Sequence, residues 1–334
     1  MFDVITIGTA TRDVFLTSPF FKVLKDPKHL KRLGVPEGEA QCFALGAKIL
    51  VDHPHLTVGG GAANAAVTFA RQGLKTGAIV GIGDDSNGSS ALRDLAGEKV
   101  KTFPVYDSKE MTGYSVILLS KEGERTILHY RGASASVRGT EAVFGRVRAK
   151  WVYISPGGIP IAAMERIITR FKGKGARVAM NPSKAYLETG PKKLAPILKN
   201  LDVVLVNREE ASYLTGVEYG KEKAIFSKFD ELVSGIAVMT DGRRGAAVSD
   251  GKHVYRAGIF PEKKLLDRTG AGDAFGSGFL SGLLQKNDIC FALRLASANA
   301  TSVVEFVGAE EGILGRNDFK KKRWQYLDLD IEPL

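Results

Sequence analysis

Residues 267–280 read DRTGAGDAFGSGFL, a glycine-containing turn that leads directly into small and apolar residues. The small and apolar residues recur at helical spacing, so a helix is expected from Ala271 to Leu284. Backbone N–H groups are unpaired at the start of a helix, and together with the helix dipole they form an anion site. Glycine lets a phosphate approach the backbone without an intervening side chain. The stretch therefore predicts a phosphate site at Gly270, Ala271 and Gly272.

Asp273 is the unusual residue of this stretch. A carboxylate at the helix start would repel a phosphate unless it takes a proton from the attacking group. The alternative is structural, because aspartate is also a favourable residue in the first turn of a helix. The compact spacing of the TGAGD sequence favours the catalytic interpretation.

The sequence upstream alternates between strand-like and helix-like segments. Buried strands are predicted at 150–155, 177–181, 202–207 and 235–240, and helices at 161–171, 192–199, from 209 and at 289–306. Continuous apolar strands separated by helices indicate a mostly parallel sheet that is covered on both faces. Ligands bind beyond the carboxyl ends of the strands in such α/β folds.

Two regions depart from this alternation. Residues 112–131 contain two strand-like runs around a Lys-Glu-Gly turn, and residues 42–58 contain a second strand-rich stretch. We expect these regions to form a small antiparallel sheet that serves as a lid. The predicted core comprises 1–12, 59–109 and 133–334, and the predicted lid comprises 13–58 and 110–132, with a surface insertion at about 18–41.

Composition excludes several classes of protein. The chain has 334 residues, of which 44% are apolar and 25% are charged, as in ordinary globular proteins. No apolar run approaches the roughly 18 residues of a membrane span. The N-terminal sequence MFDVITIGTA has no basic segment typical of a secretory signal, and Cys42 and Cys290 cannot form a disulfide framework. A cytoplasmic protein without a membrane partner is expected.

The net charge of +10 is spread along the chain in short clusters. No nucleic-acid recognition motif accompanies these clusters. The charge therefore favours an anionic small-molecule ligand over a nucleic-acid partner.

A second glycine segment, Gly59-Gly60-Gly61-Ala-Ala-Asn64, precedes a run of small residues. It matches a dinucleotide-binding loop only weakly, because Asn64 stands at the position of the third glycine. An NAD-dependent oxidoreductase is therefore kept only as an outside alternative. Tight helix–sheet packing is another interpretation. Asn64 offers both a donor and an acceptor to a polyhydroxylated ligand. No Walker-type phosphate loop occurs in the sequence.

Polar residues also follow two of the predicted strands. Asn207 and Glu210 lie on the same side of a starting helix, where they can orient hydrated Mg²⁺ or form an ordinary capping box. Thr240-Asp-Gly242 follows the next strand and is a candidate turn for nucleotide phosphates.

In combination, these motifs resemble those of the ribokinase-like (PfkB) family of carbohydrate and nucleoside kinases. GGGAANAAVTFARQG with the downstream GIGDD is similar to the first family signature, and DRTGAGDAFGSGFL is similar to the second. The resemblance extends from Val4 to about Gly312. It implies a three-layer α/β/α sandwich with a mostly parallel central sheet and a small β-sheet lid.

The resemblance also implies roles for individual residues. Asp273 resembles the base that accepts the substrate proton, and the amides of Gly270, Ala271 and Gly272 resemble the anion hole. Substrate hydroxyls are expected at Asp13, Gly60, Gly61 and Asn64. Nucleotide contacts are expected at Asn207, Glu210, Thr240, Gly242 and Asn299, with Glu210 organising the metal.

The implied function is ATP- and Mg²⁺-dependent phosphorylation of a sugar or sugar derivative. A nucleoside kinase is the main alternative, and a non-catalytic sugar or nucleotide sensor is another. Gly61 stands where ribokinases usually have lysine, and a glutamate usual after the strand ending at 154–158 is absent, so ribose is not specified.

Arg131, in the run His129-Tyr-Arg131, resembles a position in kinases of keto sugars and sugar acids, where it can pair with a carboxylate. An exposed arginine of the lid is the equal alternative. The stretch 307–312 differs from the ribokinase potassium site, so activation by K⁺ stays open. Exposed lid strands favour a homodimer.

Overall fold

The computed structural model describes residues 1–35, 38–120, 124–135 and 141–334. Its strands are β1 Phe2–Thr9, β2 Thr11–Thr17, β3 Val23–Lys25, β4 Glu39–Gln41, β5 His55–Gly59, β6 Thr76–Gly83, β7 Lys101–Asp107, β8 Gly113–Leu119, β9 Arg125–Tyr130, β10 Ala149–Ser155, β11 Arg177–Met180, β12 Val203–Asn207, β13 Ile236–Thr240, β14 Ala246–Ser249, β15 His253–Ala257 and β16 Leu329–Pro333. Its helices are α1 Pro27–Arg32, α2 Gly61–Arg71, α3 Ser86–Gly97, α4 Glu141–Arg146, α5 Ile161–Lys172, α6 Lys184–Leu187, α7 Pro191–Leu198, α8 Arg208–Thr215, α9 Glu222–Leu232, α10 Ala271–Lys286 and α11 Ile289–Val303.

The main sheet has ten strands in the order β16-β15-β14-β13-β12-β11-β10-β1-β6-β7. Every neighbouring pair from β13 to β7 is parallel, whereas β14, β15 and β16 join by antiparallel pairing. The prediction of a mostly parallel sheet is therefore confirmed. The edge strand β16 is not among the predicted strands, because its sequence LDIEP lacks a continuous apolar run.

Successive residues of a strand point to opposite faces of the sheet, and here both sets are apolar. Helices therefore cover both faces. Ile5 and Val152 pack into a core with Phe171 and Phe226 of the helices on one face. Val4, Trp151 and Tyr153 pack with Phe69, Phe279 and Leu293 on the other face, where α2, α10 and α11 lie. The result is the expected three-layer arrangement.

The lid is a separate sheet of four strands in the order β5-β2-β8-β9. The prediction that this sheet is antiparallel is wrong for one pair, since β2 and β8 run parallel. The reason is topological: β2 continues from β1 and β8 follows β7, and these two core strands run in the same direction. The predicted Lys-Glu-Gly turn at 121–123 lies outside the described residues.

The prediction of a strand-rich stretch at 42–58 holds only for β5, which begins at His55. The residues before it are mostly exposed, and Leu45 is fully exposed to solvent. Within the predicted insertion, β3 and β4 pair around α1, and Phe21 and Leu30 are buried. Among the described residues, no helix has both the length and the apolar character that a membrane crossing requires.

Candidate active site

The glycine turn before α10 forms the floor of the candidate site. Gly270 has φ +77° in the left-handed region, and a Cβ atom there would lie 2.4 Å from the Cβ of Ala309, so the position requires glycine. Asp267 is fully buried and accepts hydrogen bonds from the backbone N–H of Thr269 (2.9 Å) and of Gly308 (3.0 Å). The turn is therefore held in place from both sides, and the Ala271 N–H at the start of α10 makes only a long contact of 3.4 Å with the Arg268 carbonyl.

Asp273 and Asn64 join the two glycine segments. Nδ2 of Asn64 donates a 2.9 Å hydrogen bond to Oδ2 of Asp273, which connects α2 to the first turn of α10. Asn64 is 5% exposed, and its Oδ1 has no hydrogen-bond partner among the described residues. The structure thus places a buried acceptor beside the carboxylate, as a hydroxyl ligand requires.

Burial raises the pKa of the Asp273 carboxyl above its ordinary value. The hydrogen bond from Asn64 acts in the opposite direction, and the nearby charge of Asp13 adds to the increase. A carboxylate with a raised pKa is a stronger proton acceptor, so the environment suits a general base.

Asp13 lies on β2 of the lid and is 8% exposed. Oγ1 of Thr11 donates a 2.9 Å hydrogen bond to its carboxylate, while burial raises the pKa of Asp13. A Cβ atom at Gly59 would lie 1.9 Å from Oδ2 of Asp13, and one at Gly61 would lie 3.1 Å from Oδ1 of Asp273, so both carboxylates lie against the same glycine segment. The structure therefore brings together the predicted substrate residue and the predicted base.

Gly61 begins α2, and its N–H donates a 3.0 Å hydrogen bond to Oγ1 of Thr9. A Cβ atom at Gly61 would lie 2.2 Å from Oγ of Ser155 and 3.1 Å from Oδ1 of Asp273. The space beside the base that a lysine would need is thus taken by Ser155. The glycine at this position shapes the substrate side of the site.

Two adjoining clefts lie on the other side of Asp273. The larger, of about 460 Å³, is lined by Thr240, Gly242 and Arg243 and by residues of α10 and α11. The smaller, of about 310 Å³, is lined by Asn207, Glu210, Gly270, Gly272 and Asp273. The clefts share Thr240, Arg268, Gly272 and Phe275. One continuous trough therefore leads from the base to the Thr240–Gly242 turn, as a nucleotide requires.

Asn207 and Glu210 form the reciprocal capping box of α8. The Glu210 N–H donates to Oδ1 of Asn207 at 2.8 Å, and the Asn207 N–H donates to Oε2 of Glu210 at 2.9 Å. Burial raises the pKa of Glu210. The pair therefore forms the capping box of α8. Both residues also line the smaller cleft, so the capping role does not exclude a role in the site.

Asn299 does not reach the site. It is fully buried, its Nδ2 donates to the Ala274 carbonyl at 2.8 Å, and its Oδ1 accepts from the Leu314 N–H at 2.9 Å. Its α11 neighbours Ser297 and Ala300 line the larger cleft instead. The expectation that Asn299 contacts the nucleotide is therefore corrected: its side chain links α11 to α10 and to the backbone at Leu314.

Asp241 fixes the Thr240–Gly242 turn and is a residue that the sequence patterns do not single out. Its carboxylate accepts hydrogen bonds from Arg244 (2.8 Å), Tyr219 (2.5 Å) and Arg208 (3.0 Å). The bond from Arg244 is the main cause that lowers the pKa of Asp241 to about 2. The turn is therefore anchored by a charged cluster at all physiological pH values.

Two arginines of the smaller cleft are also absent from the sequence predictions. Arg268 directly precedes the TGAGD segment, so its sequence position was a usable signal, and its guanidinium is 3.5 Å from Glu124. Arg125 begins β9, and its Nε has no hydrogen-bond partner among the described residues. It lies within the strand-like stretch 112–131, but none of the motifs includes it, which is why the sequence predictions miss it.

Arg131 lies in a third cleft, of about 200 Å³, on the substrate side. The lining includes Thr9, whose hydroxyl accepts from Gly61, together with His129, Ser134 and Lys184. Arg131 is exposed, as the alternative of an exposed lid arginine expects, and it lines a cleft that reaches Thr9 beside Gly61.

Comparisons with known proteins agree with this arrangement. The family described as pfkB family carbohydrate kinase matches residues 38–314. A ribokinase of Haemophilus influenzae is 30% identical over 273 residues, which cover 79% of this chain and 86% of that protein. An ATP-dependent ribose-1-phosphate kinase of Halopiger xanaduensis is 30% identical over 243 residues, covering 72% and 78% respectively.

The fold has counterparts among solved structures. The structure of Arabidopsis thaliana ribokinase complexed with ribose and ATP has a TM-score of 0.75 with this chain at 20% identity, covering 97% of this chain and 99% of that one. The fold and the two glycine segments together define a sugar or nucleoside kinase. The chain belongs to the pfkB family of carbohydrate kinases. It is an ATP-dependent phosphotransferase with an alcohol acceptor.

Proposed function

We propose that this enzyme transfers the γ-phosphoryl group of ATP to a hydroxyl of a sugar or sugar derivative, with Asp273 as the base. The observation that carries the proposal is the position of the Asp273 carboxylate. It stands on the first turn of α10, directly after the Gly270 turn, and accepts the 2.9 Å hydrogen bond from Asn64. This position lies between the nucleotide trough and the substrate side of the site.

The chemistry follows from this position. Asn64 and Asp273 orient the substrate hydroxyl, with the unpaired Oδ1 of Asn64 as an acceptor for a neighbouring hydroxyl. As the hydroxyl oxygen forms its bond to the γ-phosphorus, its proton passes to Asp273, and the bond to the β–γ bridging oxygen breaks to release ADP. The amides of Gly270, Ala271 and Gly272 stabilise the charge on the transferring group.

The nucleotide trough has the chemistry that ATP and Mg²⁺ require. Thr240 and Gly242 line the larger cleft, and the glycine turn leaves open space at Gly272 for phosphate oxygens. Asn207 and Glu210 provide oxygen ligands or acceptors for metal-bound water in the smaller cleft. Bound Mg²⁺ would neutralise charge on the phosphates.

A panel of acceptors tests the proposal directly. ADP release is measured with sugars, sugar acids, sugar phosphates and nucleosides, and with Asp273→Asn as the control without a base. ADP release with a sugar or sugar derivative supports the proposal. A marked preference for nucleosides would assign the nucleoside alternative, and tight sugar binding without any ADP release would indicate a sensor.

We also propose that the enzyme acts in the cytoplasm as a homodimer. Free Cys42 and Cys290 are compatible with a reducing compartment. The lid presents the exposed apolar side chains Leu56, Leu128 and Tyr130, which pairing with a second copy would cover. Light scattering of the purified protein distinguishes a dimer from a monomer.

A further inference from the structure

Arg208 lies between the two elements that border the nucleotide trough. It is the first residue of α8 and directly follows Asn207, whose side chain caps that helix. Its Nη1 also donates a 3.0 Å hydrogen bond to Oδ2 of Asp241, in the Thr240–Gly242 turn. One guanidinium thus joins the capping box at the smaller cleft to the turn at the larger cleft.

Tyr219 fixes the orientation of this guanidinium. The Nε of Arg208 donates a 2.8 Å hydrogen bond to the Tyr219 carbonyl, and the guanidinium carbon lies 4.9 Å from the centroid of the Tyr219 ring. The Tyr219 hydroxyl donates to the Asp241 carboxylate at 2.5 Å. A planar guanidinium satisfies these contacts together, whereas the ammonium of a lysine could not.

A chain of ion pairs continues from Arg208 to the edge of the main sheet. Nη1 of Arg208 is 3.3 Å from Oε2 of Glu222, the first residue of α9. Oε1 of Glu222 accepts a 2.7 Å hydrogen bond from Nε of Arg256 on β15. Nη1 of Arg256 is in turn 2.8 Å from Oε1 of Glu332 on β16. Acidic and basic side chains therefore alternate from the Thr240–Gly242 turn to the edge strand.

The five side chains of this series are partly buried and are termed the ion network: Asp241, Arg208, Glu222, Arg256 and Glu332. Their exposed fractions lie between 13% and 32%. Solvent and salt screen such pairs less than they screen fully exposed pairs. Removal of one member leaves the charge of its neighbour without a partner, so the neighbour loses its fixed position.

The ion network acts on the trough from outside. Within the described parts of the chain, none of its side chains lines either cleft of the trough. Thr240 and Asn207, which do line the clefts, are direct neighbours in the register of β12 and β13. The chain leaves the sheet at these two points, once into α8 and once into the Thr240–Gly242 turn. Arg208 connects the two departing segments just beyond the sheet, so it sets their separation.

We propose that Arg208 is a positioning residue for ATP, which holds the Thr240–Gly242 turn and the first turn of α8 at the separation that the nucleotide requires. The other members of the ion network hold Arg208, so that Glu332 on β16 contributes to ATP affinity without contacting ATP. This inference rests on the proposed function, because it takes the trough as the ATP site.

Calorimetric binding of ATP in the presence of Mg²⁺ to full-length variants tests the inference without requiring turnover. Arg208→Met keeps much of the side-chain volume but removes the charge and the donors. We expect the Kd for ATP to rise about 3- to 30-fold, which is the range for residues that couple parts of a site, while the KM for the acceptor stays within about twofold of wild type. The acceptor is the compound of the ADP-release panel that reacts fastest. Arg208→Lys keeps the charge without the planar fork and should restore part of the ATP affinity.

Glu332→Gln tests the far end of the ion network with little risk to folding, because this side chain lies on the edge strand. We expect the Kd for ATP to rise about 2- to 5-fold. The double variant Arg208→Met/Glu332→Gln should bind ATP as Arg208→Met alone does, because Glu332 acts through Arg208. A double variant whose loss equals the product of the two single losses would overturn the network.

Lys172→Met is the matched control. Lys172 forms a partly buried ion pair with Asp202 at 3.2 Å, and Asp202 directly precedes β12, at the opposite end of the strand from Asn207. Urea unfolding of every variant separates a loss of stability from a loss of affinity, and the control should keep the wild-type Kd for ATP. An unchanged Kd in Arg208→Met, an equal rise in its acceptor KM, or an equal rise of the Kd in the control would overturn the inference.

The ADP-release panel with the wild-type enzyme separates this result from a failure of the proposed function. Rapid ADP release together with an unchanged ATP affinity in Arg208→Met would leave the kinase proposal intact and overturn the positioning role. ATP binding that depends on Arg208 without ADP release from any acceptor would support the positioning role and refute the kinase mechanism.

Discussion

Replacement of Asn64 with leucine tests the electrostatic link between the two glycine segments. Leucine has nearly the size of asparagine, fills the buried position and excludes a replacing water, but it cannot donate the 2.9 Å hydrogen bond to Asp273. Because that bond stabilises the ionised carboxylate, its loss raises the pKa of Asp273 further. A base must be ionised to act, so activity in the variant begins at a higher pH.

The size of the effect follows from the bond that is lost. A hydrogen bond to a charged group contributes about 1.5–3 kcal/mol, and one pKa unit corresponds to about 1.4 kcal/mol. The acid limb of kcat/KM is therefore expected to move upward by about 1–2 pH units. The acceptor KM should also rise, because the unpaired Oδ1 of Asn64 is removed, whereas the ATP KM should change little.

The assay is the pH dependence of kcat/KM from steady-state ADP release, with wild type and variant measured under identical conditions. Thr68→Val is the matched control, since Thr68 is buried one turn further along α2 and contacts Asn299 rather than Asp273. The control should keep the acid limb of the wild type. An unmoved acid limb in Asn64→Leu would refute the link and leave Asn64 as a substrate-binding residue only.

Three further predictions concern buried or site carboxylates. Asp273→Asn should lower kcat by about 10²–10⁴-fold or more with ATP affinity preserved in a binding assay; retention of a tenth of the wild-type kcat would exclude it as the base. Glu210→Gln should shift the Mg²⁺ titration of activity to higher concentration, and an unchanged titration would leave Glu210 with its capping role alone. Burial raises the pKa of Glu310 from an ordinary 4.5 to about 8, so the folded state holds a proton that the unfolded chain releases, and the free energy of unfolding falls as pH rises through that interval. Glu310→Gln should remove this fall, so above pH 8 the free energy of unfolding of the variant in urea should exceed that of wild type by about 2–4 kcal/mol. Parallel pH profiles of the two proteins would contradict the raised pKa of Glu310.

The sequence was sufficient for features that depend on local chemistry. The GAG turn and the apolar strands before it predict the start of α10 and the mostly parallel sheet, because glycine, capping and burial act over a few residues. Thr240 and Asn207 could be placed at one edge for a similar reason, since they end neighbouring parallel strands and the carboxyl ends of parallel strands share one edge.

Features set by long-range packing could not be predicted. The parallel pairing of β2 with β8 depends on the order of core strands, which is not encoded near either strand. Arg125 reaches the smaller cleft because the lid folds over the core, and Asn299 faces inward because α10 and α11 pack closely. In each case the local sequence is compatible with either arrangement, and contacts between distant parts of the chain determine which one forms.

The direct continuation of β1 into β2 has a mechanical consequence. Only Ala10 separates the two strands, so Asp13 is carried by the lid while Asp273 is carried by α10 of the core. Any rotation of the lid about this connection changes the separation of the two carboxylates and hence their mutual repulsion. Since this repulsion contributes to the raised pKa of Asp273, the proton affinity of the base depends on the angle of the hinge.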